Sequence, residues 1–163
     1  MRLTVFHRDL HQPSESILPS MNNERHERMG ELSRLVALVL DVAKSALEEQ
    51  GTFLPGSIAV DAAGKYAIGV APHGGVNGWT LLTTAFRQRA AAEELRAVVL
   101  YRDVRVRERG ASEDVDAIHA VVELASGEAV QVFQIYRKND AGGIVYDKPE
   151  IEQATSVIFV ESH

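Results

Sequence analysis

Asp103, Arg105 and His119 are the residues of this chain whose types and spacing could do acid–base chemistry. They lie in two segments, Tyr-Arg-Asp-Val-Arg-Val-Arg-Glu-Arg at 101–109 and Asp-Ala-Ile-His-Ala-Val-Val-Glu-Leu at 116–124, that mix polar and apolar residues in alternation. Side chains of a strand point to opposite faces in turn. If Val104, Val106, Ile118, Ala120, Val122 and Leu124 share an inner face, then Asp103, Arg105, Arg107 and His119 share the outer one. Antiparallel pairing then sets His119 opposite Asp103 or Arg105. An aspartate beside a histidine can orient the imidazole as a general base, as in many hydrolytic sites. The competing reading is a solvated sheet face whose opposite charges pair across strands for fractions of a kcal/mol. The chain has no cysteine, and no serine nucleophile sits in a strained turn beside this pair, so cross-strand charge pairing is the favoured reading.

A second candidate is Ala-Pro-His-Gly-Gly-Val-Asn-Gly-Trp at 71–79. Gly74, Gly75 and Gly78 ahead of a helix can bring backbone N–H groups to an anion, with His73 alongside and the helix dipole assisting. The stretch lacks the Lys-Ser/Thr of a phosphate-binding loop, and its glycine spacing is not that of a dinucleotide fingerprint. A flexible strand-to-helix connection accounts for the same glycines. His7 and His11, with Asp9 between them and His26 downstream, have the i, i+4 spacing of a helical zinc pair. They sit in a Pro- and Ser-rich stretch without helical periodicity, so exposed histidines are expected and no metal site. Glu113, Asp114 and Asp116 beside Arg107 and Arg109 read as a solvated hairpin end, since the alternating oxygen ligands of a calcium loop are missing.

By parity with the charged residues, Val99, Tyr101, Val121, Phe133 and Ile135 fall on the outer face. Five such side chains in water would make a larger apolar patch than monomers usually leave open. The N-terminal stretch, the C-terminal Ser-Val-Ile-Phe-Val run or a second subunit must cover them. A symmetric dimer is the cover with functional meaning, and these five residues are its expected interface.

The chain has 163 residues, 45% of them hydrophobic and 25% charged, which suits one globular domain. Its net charge of −6 argues against general nucleic-acid binding, which needs a dense basic surface. The absence of cysteine removes disulfides, thiolate zinc sites and iron–sulfur clusters, and no cofactor is expected. The longest apolar run, at 35–43, is interrupted by Asp41 and is far short of a bilayer span, so no membrane contact is expected. His7, Arg8, Asp9 and His11 stand where a secretory signal would need an unbroken apolar stretch, which points to the cytoplasm.

The elements that must position these residues follow from the periodicities. Residues 1–21, with Pro13, Pro19 and three serines, read as an irregular leader, and 22–163 as a single domain. Asn22 and Asn23 are candidate helix caps. Met29, Leu32, Val36, Val39, Ala43, Ala46 and Leu47 then recur at helical spacing over 24–50, and Gly51 supplies a left-handed cap. Strands are expected at 57–61 and 65–71, then a helix with Trp79, Leu82, Phe86 and Ala90 on one face. Further strands follow at 98–107, 116–125 and 129–138. Gly-Gly-Ile-Val-Tyr-Asp-Lys-Pro opens another, and Thr-Ser-Val-Ile-Phe-Val-Glu offers an edge strand. The order implies the α+β class: a single antiparallel sheet of five or six strands with two main helices packed on one face.

This helix–hairpin–helix–meander order is similar to that of the profilin-like and roadblock-like families. Residues 51–70, Gly-Thr-Phe-Leu-Pro-Gly-Ser-Ile-Ala-Val and onward, and the meander from Asp103 to Lys138 resemble a small bacterial α+β family. In that family a Gly-Phe-Pro turn opens the hairpin, and no role is assigned. The resemblance spans residues 32–138; it implies the fold and gives no catalytic residues to carry over. The combined expectation is a non-enzymatic homodimeric or partner-binding module that uses its sheet face. The alternative is a small hydrolase or ligand-binding enzyme with a site near His73 or at Asp103 and His119.

Overall fold

A computed structural model of the chain describes residues 2–160, with side chains from residue 21 onward. Helix α1 spans Arg2–Gln50, strand β1 Gly56–Asp61, β2 Tyr66–Val70, and helix α2 Gly75–Ala92. Then come β3 Leu95–Arg107, β4 Asp114–Leu124, β5 Ala129–Lys138, β6 Ile144–Tyr146 and β7 Glu150–Gln153. The protein is α+β, with one fully antiparallel seven-stranded sheet in the order β2-β1-β3-β4-β5-β6. β7 shares the outer edge of β5 with β6, so the two form one edge strand broken at Asp147–Pro149. Proline cannot donate to a ladder, which suits the break.

Three differences from the expected elements have physical reasons. Helix α1 does not start at Asn22 or Asn23, which lie inside it; backbone of the stretch expected to be irregular is helical from Arg2. Once nucleated, a helix gains a bond per residue added, and Pro13 and Pro19 each forgo one bond without ending it. The C-terminal Ser-Val-Ile-Phe-Val run forms no strand, because its N–H groups go to a buried carboxylate described below. The helices also divide between the two faces of the sheet instead of sharing one.

That division follows from β1 and β3, which bury residues of both parities. Leu35, Val39, Ala43 and Leu47 of α1 cover Ile58 and Val60, Ala97, Val99 and Tyr101, and Ile118, Ala120, Val122 and Leu124 of β4. Leu82 and Phe86 of α2 cover Ala59, Val98 and Leu100 on the opposite side. Most of the expected α1 stripe is buried, whereas Met29 is exposed. Salt bridges from Arg28 to Glu128 (2.6 Å) and from Arg96 to Glu31 (2.8 Å) tie α1 to the β4–β5 turn and to β3. At its C-terminus the Gly51 N–H donates to the Leu47 carbonyl at 2.8 Å with φ +77°, the left-handed conformation that glycine adopts without a Cβ clash.

Candidate functional site on the sheet face

The register separates the residues that parity had joined. In β3–β4, Arg102 pairs with His119, while Asp103 pairs with Ile118 and Arg105 with Asp116. His119 therefore faces the α2 side and Asp103 the α1 side, so the expected Asp–His pair does not form. Asp103 accepts from the Tyr136 hydroxyl at 2.8 Å and from Thr52 Oγ1 at 3.3 Å. Burial raises its pKa above the usual carboxylate value while those two hydrogen bonds oppose the shift. Burial, and then the Asp103 hydrogen bond, pushes the Tyr136 phenol up. Asp103 thus fastens β3 to β5 and to the loop after α1. Arg105 meets Asp116 at 3.6 Å and Arg107 meets Asp114 at 2.8 Å, the cross-strand charge pairs of a solvated surface.

The expected interface also splits. Val99 is fully buried and Tyr101 is 4% exposed, both under α1, so neither belongs to an open surface. They share a side with Asp103, Arg105 and Arg107, as alternation requires, but β3 outruns the helix that covers it. The same side of the strand is apolar beneath α1 and charged past its C-terminus. Val121, Phe133 and Ile135 lie on the α2 side, as does His119.

On that side α2 and the C-terminal segment cover only part of the sheet. Glu123 is 1% exposed and accepts from Ser156 Oγ (2.8 Å) and from the N–H groups of Val157 (2.7 Å), Ile158 (2.9 Å) and Phe159 (3.4 Å). Arg87 of α2 donates to the Val157 carbonyl at 2.6 Å. The strap so held buries Ile158 against Leu82, Phe86, Val98 and Leu100. Further along the strands, Val104, Val106, Val115, Phe133 and Ile135 remain partly exposed around the small, buried Ala117. A groove of about 530 Å³ runs over Val106, Phe133 and Ile135, rimmed by Arg107, Glu108, Arg109, Asp147, Lys148 and Glu150.

Between the covered and open parts lies the row Arg102–His119–Phe133. The imidazole of His119 stacks on Phe133 (centroids 4.5 Å, interplanar 17°) and lies 5.6 Å from the Trp79 ring. Its Nδ1 accepts from Arg102 Nε at 3.0 Å, and the guanidinium sits over Trp79, 4.1 Å from the ring centroid. Burial, with the Arg102 charge second, pushes the His119 pKa down to about 4. At neutral pH the ring is uncharged, and Nδ1 is free to act as an acceptor. Alternation flags neither Arg102 nor Trp79. An off-by-one strand pairing hides the first, and the second arrives from another element.

The glycine loop has a packing explanation. His73 is exposed, and Gly74 precedes α2 without any side-chain cap. Gly75 has φ +65°. A Cβ at Gly78 would lie 1.9 Å from the His73 carbonyl oxygen, so the loop folds against the helix only without one. Among the described residues no group of three or more His, Asp or Glu side chains is placed to hold a metal ion. The side chains of His7, Asp9 and His11 lie outside the described residues. No described helix is long and apolar enough to cross a membrane. No protein-family model, curated protein or solved structure matches the chain.

Proposed function

We propose that the protein is a non-enzymatic binding module that self-associates as a homodimer through the open part of its α2-side sheet face. The observation that carries this reading is the partly exposed apolar surface of Val104, Val106, Val115, Phe133 and Ile135, which includes two of the five expected interface residues. Monomers seldom leave a contiguous surface of this kind in water.

The rim favours a second copy as the occupant. It carries three basic residues, Arg107, Arg109 and Lys148, and three acidic ones, Glu108, Asp147 and Glu150. An isologous contact sets a patch against itself, so it needs both signs around one apolar floor. On a chain of net charge −6, a charge-balanced patch is where two copies repel each other least.

Sedimentation across a dilution series tests the reading. The full chain is expected to run as a dimer that dissociates on dilution, and Ile135→Glu to run as a folded monomer. A wild-type chain that stays monomeric at every concentration overturns it, as does an Ile135→Glu dimer of unchanged affinity.

A further inference from the structure

We infer that Arg102 is a binding site for an organic carboxylate, with the ligand's oxygens on the free end of the guanidinium and its apolar body over Val104 and Ile135. Arg28, Arg89, Arg96, Arg105, Arg107 and Arg137 each reach a carboxylate. Arg87 reaches a backbone carbonyl. Arg102 is partly buried, yet it gives one donor, Nε, to a neutral imidazole, and among the described residues no acceptor meets its terminal nitrogens. A guanidinium carries five N–H donors and keeps its charge, so four remain for a ligand. Trp79 attracts the cation through its ring face but accepts no hydrogen bond from its terminal nitrogens.

A second observation in the same row points the same way. His119 is 6% exposed and its Nε2 has no well-formed hydrogen bond, the Gln131 side chain offering the ring only a weak one. A guanidinium whose terminal nitrogens are left to water and an under-satisfied imidazole therefore adjoin one apolar surface, where a carboxylate can take the place of that water. The surroundings select the ligand class. Trp79, Phe133 and Val104 suit a planar monoanion with an apolar body better than a heavily hydrated dianion, and a carboxylate matches the guanidinium fork in bidentate fashion. The body has one direction open. Leu100, α2 and Ile158 close the sheet on one side of the row, while Val104–Ala117–Ile135 is the next row on the other.

Trp79, the single tryptophan, lies against Arg102 and reports its occupancy. Titrating the full chain at neutral pH with octanoate is expected to change its emission saturably, whereas octanol does not. Octanoate affinity is expected to fall by about tenfold or more in Arg102→Met, and less in Arg102→Lys, which keeps the charge without the fork. Arg34→Gln, an exposed site on α1, leaves it unchanged. A response that does not saturate, an equal response to octanol, or an Arg102→Met affinity within about twofold of wild type overturns the assignment. The two ligands decide the matter on the unaltered protein even where Arg102→Met does not fold. The ligand's body and a second copy would compete for Val104 and Ile135, so the titration is run on chain diluted until it sediments as a monomer, where the carboxylate site stands or fails whether or not the dimer forms.

Discussion

The carboxylate of Glu123, buried in β4, accepts the backbone N–H of Ile158 at 2.9 Å and holds the C-terminal strap against the sheet. With the N–H groups of Val157 and Phe159 and the Ser156 hydroxyl, it gathers four donors from one short segment. The strap is thereby set by Glu123, by the Arg87 hydrogen bond to the Val157 carbonyl and by the apolar seat of Ile158, not by strand pairing.

Removing that carboxylate should free the strap. Glu123→Ala leaves the donors of 156–159 without their acceptor and is expected to cost about 3 kcal/mol. For a domain of this size that lowers Tm by about 6–12 °C. Thermal unfolding measures the loss, and hydrogen exchange should show the amides of Val157, Ile158 and Phe159 losing protection first.

His119 makes stability depend on pH in a defined direction. Its folded-state pKa is depressed to about 4 from an ordinary value of 6.5. Between those values the unfolded chain binds a proton that the folded chain refuses, so stability falls as pH drops through this window and is flat above it. The full effect amounts to about 3 kcal/mol. Chemical denaturation of wild type and His119→Gln over that range checks it. The difference curve between the two proteins isolates the imidazole.

Val99 and Ile135, both expected at the interface, should respond in opposite ways. Val99→Asp places a charge beneath α1 at a fully buried position and is expected to unfold the domain or cost several kcal/mol. Ile135→Glu, on the partly exposed surface, should shift stability by about 1 kcal/mol or less while abolishing self-association. Circular dichroism and sedimentation on the two variants separate a core position from a contact position.

Gly78→Ala should be destabilising although it is a small change in a helix, where alanine is ordinarily preferred by about 1 kcal/mol over glycine. The added Cβ would meet the His73 carbonyl oxygen at 1.9 Å and push the loop off α2. A lowered Tm is expected, and a Tm equal to or above wild type would contradict the close approach.

Much of the molecule is legible in the residue order. The α1 stripe, the Gly51 cap, the β1–β2 hairpin and the three long strands of the meander all arise from short-range chirality and periodicity. The shared side of Val99, Tyr101, Asp103, Arg105 and Arg107 is equally local, since alternation along one strand needs no partner. What pairs with that strand, and what lies over it, are different questions. The register that joins Arg102 to His119 and parts His119 from Asp103 is settled across a turn, by which apolar sets meet when the sheet closes. The cover is settled by helix length and path: α1 buries Tyr101 and stops short of Asp103, α2 crosses to the far face, and Glu123 captures a run that would otherwise read as a strand. Periodicity therefore determined which side chains share a side, and only tertiary packing decided which of those sides are dry, because burial depends on residues distant in the chain.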